Sequence, residues 1–167
     1  MLFGKRKRVV NRILIVEDEP LTAFDNEMML GDLGYEVVAT LDSFEDAIER
    51  LDRDEVDLVL SDYRLSGERT GIDLARAAKN RKVPIIFATG HQLPPESVEL
   101  AVGCITKPYT ERTLKLTLTA VDKHLSGQRA KPPKGVELFV LQQGGEAGVE
   151  GGDAVLQRPD GDASNQA

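Results

Sequence analysis

Arg12-Ile-Leu-Ile-Val-Glu-Asp-Glu-Pro20 is the stretch that decides the architecture. The apolar run from Val10 to Val16 is short and unbroken, which reads as a strand buried on both faces. Three acids follow at once, and Pro20 suits the first turn of a helix, where its missing N–H would lack a partner anyway. Strand, acidic turn and helix in that order open a βα unit, with carboxylates at the strand's carboxyl end.

The same order recurs along the chain. The helix after Pro20 places Leu21, Phe24, Met28 and Leu33 on one face and stops at Gly34. Tyr35–Leu41 reads as a second strand, and Ser43 caps a helix with Asp46 at its third position and Ala47, Ile48 and Leu51 inward. Val56–Ser61 is a third strand, followed by a helix from Gly71-Ile72 through Leu74, Ala75 and Ala78. Pro84–Ala88 is a fourth, and Pro94-Pro95 starts a short helix ending near Gly103. Cys104–Thr106 is a brief fifth strand, and Thr110 caps a last helix carrying Leu114, Leu118, Val121 and Leu125. Five such units with nearly all-apolar strands imply an α/β fold, a doubly wound (βα)5 flavodoxin-like parallel sheet with helices on both faces. Right-handed crossovers leave strand order 2-1-3-4-5 as the arrangement suited to five strands.

Charge and glycine divide the 167 residues into three. Residues 1–8 form a basic lead. Residues 9–126 hold the patterned apolar segments with 13 basic and 22 acidic side chains, more acidic than the chain's net −7. Residues 127–167 hold 8 of the 15 glycines and read as a Gly/Pro-rich disordered tail, with Val136–Leu141 as a candidate edge strand. Net acidity argues against direct DNA binding, because phosphates must be met by Lys and Arg. No helix-turn-helix pattern follows Leu125 either. No apolar run approaches the roughly 18 residues of a membrane span, and the lead lacks the apolar core of a signal peptide. No stable membrane association is expected, and a cytoplasmic location is. The one cysteine, Cys104, cannot make an internal disulfide and reads as a packing residue.

In doubly wound sheets ligands bind beyond the carboxyl ends of the strands. Those ends carry Glu17-Asp18-Glu19, Asp62, Thr89 and Lys107. Carboxylates gathered at one rim repel one another unless a cation sits among them. A few carboxylates with room for water and phosphate suit Mg²⁺, while a lysine and a hydroxyl can hold phosphoryl oxygens. This set suits in-line phosphoryl transfer to a carboxylate nucleophile.

Residues 11–125 resemble a response-regulator receiver domain, the phosphoacceptor module of bacterial two-component signalling. The pieces that carry the resemblance are Ile13-Leu-Ile-Val-Glu-Asp-Glu-Pro20, Leu58-Val-Leu-Ser-Asp62, Phe87-Ala-Thr89 and Thr106-Lys-Pro-Tyr109. The resemblance implies that Asp62 is phosphorylated and that Glu17, Asp18 and Asp62 hold Mg²⁺ with the backbone carbonyl of Arg64. It implies Thr89 as the switch hydroxyl, Lys107 as the phosphoryl counter-charge and Pro108 on a cis bond. The implied donor is a histidine kinase or histidine phosphotransfer protein. Output would pass by contact with a downstream protein or by phosphorelay, through the surface of the fourth and fifth helices. The chain is thus expected to be a phosphoacceptor signalling protein, catalysing only its own phosphorylation and dephosphorylation.

Three departures matter. Cys104 stands where receivers usually place an aromatic switch residue. The loop Arg64–Gly71 is one residue longer than usual, and Gly90-His91 follows Thr89. Phe87-Ala-Thr-Gly90 with Leu65-Ser-Gly-Glu68 resembles the stand-alone subfamily named for its Phe-Ala-Thr-Gly sequence. In that subfamily an aromatic commonly follows the glycine, and a Gly90-His91 loop is the candidate replacement for the usual switch. The rival readings are a pseudo-receiver that binds without phosphorylation and a phosphatase resembling the haloacid dehalogenases. The phosphatases place Asp-x-Asp after the first strand, whereas Asp18 is followed by Glu19-Pro20.

Overall fold

The computed structural model describes residues 7–140. Six strands form one sheet in the order β2-β1-β3-β4-β5-β6. In chain order the elements are β1 (Arg12–Val16), α1 (Pro20–Asp32), β2 (Glu36–Leu41), α2 (Phe44–Arg53), β3 (Leu58–Asp62) and α3 (Gly71–Asn80). They continue with β4 (Ile85–Thr89), α4 (Ser97–Leu100), β5 (Gly103–Thr106), α5 (Glu111–Leu125) and β6 (Val136–Leu138). The first five strands are parallel, which gives the doubly wound flavodoxin-like fold expected, and β6 adds an antiparallel edge against β5.

Alternation along the strands builds two cores. Ile13, Ile15, Leu58, Leu60, Ile86 and Ile105 point to the face covered by α1 and α5, where Leu30, Leu114, Leu118 and Val121 meet them. Leu14, Val16, Val59, Ile85 and Phe87 point the other way, onto Ala47 and Leu51 of α2 and Ile72, Leu74 and Ala75 of α3. Each central strand is therefore apolar on both faces through its middle, with polar residues only at its ends, and that is why the strands read as continuous runs.

The helix starts are fixed by side chains. Ser43 Oγ accepts from the Asp46 N–H at 3.2 Å, and Thr110 Oγ1 accepts from the Thr113 N–H at 3.2 Å. Thr70 and Asp73 form a reciprocal capping box at the start of α3. Two carboxylates anchor the chain before β1. Asp122 accepts from the Val9 and Val10 N–H groups at 2.7 and 2.9 Å, and Asp57 accepts from those of Asn11 and Arg12 at 2.9 and 2.8 Å.

Three expectations change. On α1 the inward residues are Ala23, Asn26 and Leu30, whereas Leu21, Phe24 and Met28 are 70%, 60% and 50% exposed. The four residues expected on one face therefore divide, with Leu33 packed against the core and the other three outward, while small Ala23 and polar Asn26 face the sheet. The short helix expected from Pro94-Pro95 begins only at Ser97 and is a single turn to Leu100. Its first bonds run from Ser97 to Pro94 O and from Val98 to Pro95 O, a three-residue pattern that prolines without N–H groups cannot prolong backwards. The folded unit also extends past residue 126, since Val136–Leu138 is paired and Phe139 is only 6% exposed. The remainder of the expected tail, residues 141–167, lies outside the described residues, as do residues 1–6 of the basic lead.

Gly71 is held where no side chain fits. Its N–H donates to Tyr63 O at 2.8 Å, and an added Cβ would lie 2.7 Å from that same oxygen and 2.8 Å from Asp62 O. Gly71→Ala must push the end of β3 away from α3, and is expected to cost about 1–3 kcal/mol of stability. Chemical denaturation of the two proteins checks this.

Candidate functional site

The carboxyl ends of β1, β3 and β5 bring Glu17, Asp18, Asp62 and Lys107 together. One carboxylate oxygen from each of Glu17, Asp18 and Asp62 lies within 4.8 Å of the others. Lys107 Nζ donates to Glu17 Oε2 at 2.6 Å and to Asp62 Oδ2 at 3.2 Å. The lysine thus bridges residues 90 and 45 positions away in sequence. Its peptide bond to Pro108 is cis, and its N–H donates to Thr89 O at 2.9 Å.

Burial grades the acids. The Glu17 side chain is 1% exposed and that of Asp62 17%. Burial pushes the Glu17 carboxyl above its ordinary value, against the opposing pull of Lys107, and the Asp62 charge adds to the rise. Burial would lower Lys107, but its hydrogen bond and ion pair with Glu17, aided by Asp62, hold the ammonium above its usual range. Three clustered carboxylates exceed what one ammonium can neutralise. The all-oxygen donor set and its surplus negative charge fit a hard divalent cation such as Mg²⁺.

The other site residues are placed as follows. The Arg64 N–H donates to Asp62 Oδ1 at 3.1 Å, so the chain just after β3 turns back over the carboxylate. Thr89 is buried, and its hydroxyl closes a small turn with His91, donating to the carbonyl at 3.3 Å and accepting from the N–H at 3.1 Å. Gly90 and His91 are exposed in the loop after β4.

Three contacts were not anticipated. Ser66, in the long loop after β3, donates to Asp18 Oδ2 at 3.0 Å, and Arg69 of the same loop stacks 5.1 Å from the Phe44 ring centre. Tyr109 donates its hydroxyl to Asn26 Oδ1 at 2.7 Å, tying the turn after Lys107 to α1, and burial raises the phenol's pKa. The only sequence signal for this pair was an asparagine within a helix, which does not name its partner.

Comparison with known proteins agrees with this geometry. The family model described as the response regulator receiver domain matches residues 13–119. The chain is 34% identical over 120 residues to the sensory transduction protein LytR of Staphylococcus haemolyticus, covering 69% of this chain and 46% of that protein. It therefore spans about half the length of that curated relative. Among solved structures, the response regulator PhyR of Brucella abortus superposes with a TM-score of 0.60 at 27% identity, covering 72% of this chain and 51% of that one. The receiver domain of the sensor histidine kinase PA1611 from Pseudomonas aeruginosa superposes with a TM-score of 0.58 at 28% identity, over 66% and 95% of the two chains. That structure is described as having a magnesium ion coordinated in its active site cleft.

Proposed function

Because this chain belongs to the response regulator receiver domain family, we propose that it accepts a phosphoryl group on Asp62 from a histidine kinase or histidine phosphotransfer protein. It would pass the signal on by protein contact or phosphorelay. The observation that carries this reading is the single ammonium of Lys107 set between buried Glu17 and the less buried Asp62. Of the two carboxylates it touches, Asp62 is the one open to an incoming phosphoryl group.

An oxygen of Asp62 attacks phosphorus, the P–N bond of the donor phosphohistidine breaks, and the imidazole leaves. Lys107 moves its hydrogen bond from the carboxylate to a phosphoryl oxygen, while Glu17 keeps the ammonium anchored. Glu17, Asp18, Asp62 and the Arg64 carbonyl would hold Mg²⁺, which supplies charge neutralisation to the phosphoryl oxygens. Thr89 would exchange its turn with His91 for the phosphoryl group, leaving the Gly90-His91 loop to rearrange in place of an aromatic at Cys104. The Phe87-Ala-Thr-Gly90 sequence supports a place in the stand-alone subfamily. The acidic described surface, and the fact that no helix among the described residues is long and apolar enough to cross a membrane, are consistent with a cytoplasmic protein that does not bind DNA directly.

The donor docks on α1 in this reading. Leu21, Phe24 and Met28 form an exposed apolar ridge on the helix that begins just after the acidic turn. A groove lined by Thr22, Asn26, Lys107 and Tyr109 connects that helix to the Lys107 turn. Phe24→Glu is expected to slow transfer from a phosphorylated kinase by roughly tenfold or more, the loss of one buried aromatic anchor. Transfer from a small phosphodonor should be unchanged. Equal slowing with both donors would place the defect in the site and not in docking.

The reading is tested by phosphotransfer from purified, radiolabelled histidine kinases and phosphotransfer proteins of the source organism. Rapid transfer from at least one supports it. Uniformly slow transfer from all of them would remove the relay claim.

A further inference from the structure

The edge of β5 is the surface where this fold departs furthest from five βα units. It is covered by the chain's own residues 135–139. Thr106 donates to Gly135 O at 2.8 Å, Gly103, Cys104 and Ile105 pair with Leu138, Glu137 and Val136, and Phe139 donates to Val102 O at 2.9 Å. His124 Nε2 on α5 donates to Phe139 O at 2.8 Å and pins the far end. Gly103 is suited to this cover, since a Cβ there would lie 2.2 Å from Glu137 O.

The cover is wired to the site. β5 ends in Thr106, whose N–H holds Gly135 O, and the next residue, Lys107, donates its N–H to Thr89 O. On the other side of Cys104, a cavity of about 350 Å³ separates the loop carrying Thr89 and His91 from Glu137 and Phe139 of the cover. The loop that Thr89 releases therefore has room to move, and the cover forms one wall of that room. The cover itself is a strand of only three residues at a sheet edge, where local opening is least costly.

We propose that β6 is a releasable cover over a strand-docking edge, and that phosphorylation of Asp62 loosens it so that β5 can accept an extended segment of a downstream partner. The cover displays the chemistry that fits. Val136, Glu137, Leu138 and Phe139 run apolar, acidic, apolar, aromatic, and Phe139 is buried in the core cluster against which the small Cys104 packs. The partner segment would carry the same apolar-acidic-apolar-aromatic order and add antiparallel to β5, drawing its affinity from main-chain hydrogen bonds.

This inference rests on the phosphoacceptor reading, and the test separates the two. Amide exchange of the full chain is followed by NMR with and without beryllofluoride and Mg²⁺, a phosphoryl mimic. A fluorescent peptide with the sequence of residues 134–140 serves as the docking probe. The expected result is a shift of the Tyr63, Arg64 and Gly90 amides, with exchange at Val136–Phe139 faster by at least about tenfold. The peptide should bind the activated chain at least about tenfold more tightly than the unactivated one. Gly103→Ala should raise exchange at Val136–Phe139 without the mimic. If the site amides shift while the cover stays equally protected, or if Gly103→Ala leaves the cover protected, the proposal is overturned and the phosphoacceptor reading stands. If the site amides do not respond, both fall. A dimer that forms on activation with the cover still exchanged between copies would assign the edge to a second copy and overturn the partner segment.

Discussion

Asp62→Asn is expected to lose stable phosphoryl incorporation from a small phosphodonor with Mg²⁺, by at least about a thousandfold, the scale seen when a nucleophile acting within a concerted site is removed. The amide has no anionic oxygen to attack phosphorus. The fold should survive the change, for a physical reason visible in the site. The Asp62 charge pushes Glu17 toward its protonated form, so removing it relieves a repulsion. Lys107 keeps its shorter contact, 2.6 Å to Glu17. Incorporation is measured with labelled donor and stability by chemical denaturation. A variant that incorporates label at the wild-type rate would place the acceptor elsewhere.

Lys107→Ala carries the second large effect, and it has two parts. Removal of one positioned donor to the transferring phosphoryl group should slow phosphorylation by about 10²–10³-fold. Stability should also fall, by about 3–5 kcal/mol, because Glu17 is left nearly inaccessible to water with no cation beside it. Adding Glu17→Gln to the Lys107→Ala protein should return much of that stability without restoring phosphorylation, since it removes the stranded charge and not the missing donor. This non-additivity separates the electrostatic cost from simple loss of packing. Lys107→Arg should not rescue the rate, because a planar fork cannot take the place of a compact ammonium between two carboxylates. Additive effects in the double variant would contradict the pairing.

The parts of this protein that were legible in sequence share one property: their signal is local. Buried parallel strands such as Leu58–Asp62 and Ile85–Thr89 run apolar on both faces until their last one or two residues because both faces are covered, and the polar residue at each strand end is then fixed by counting. The caps at Ser43 and Thr110 are equally local, as a hydroxyl three residues before an N–H. What escaped depends on partners far along the chain. Asn26 faces inward on α1 because Tyr109, 83 residues later, meets its carbonyl oxygen. That contact turns Leu21, Phe24 and Met28 outward although their spacing is that of a core stripe. Ser66 reaches Asp18 across 48 residues through a loop whose composition gives no direction.

The edge strand shows the same limit from another side. Val136–Leu141 stands out in sequence as an apolar break in a glycine-rich stretch, but the place of Val136–Leu138 beside β5 follows from Gly103. An absent Cβ there admits Glu137 O, and no local pattern around residue 103 announces that. The short α4 is a case of a helix signal outweighed by its own start. Pro94 and Pro95 set a turn, and only Ser97–Leu100 continues it.

The central claim is that the Glu17, Asp18, Asp62 and Lys107 cluster makes Asp62 a phosphoryl acceptor. Its most direct test is to incubate the full chain with a small phosphodonor, trap the acyl phosphate by borohydride reduction, and map the modified residue by peptide mass spectrometry. The account predicts a single modified residue, Asp62, formed with Mg²⁺ and suppressed when the metal is chelated. Modification at another carboxylate, or none with Mg²⁺ and donor in excess, would contradict it.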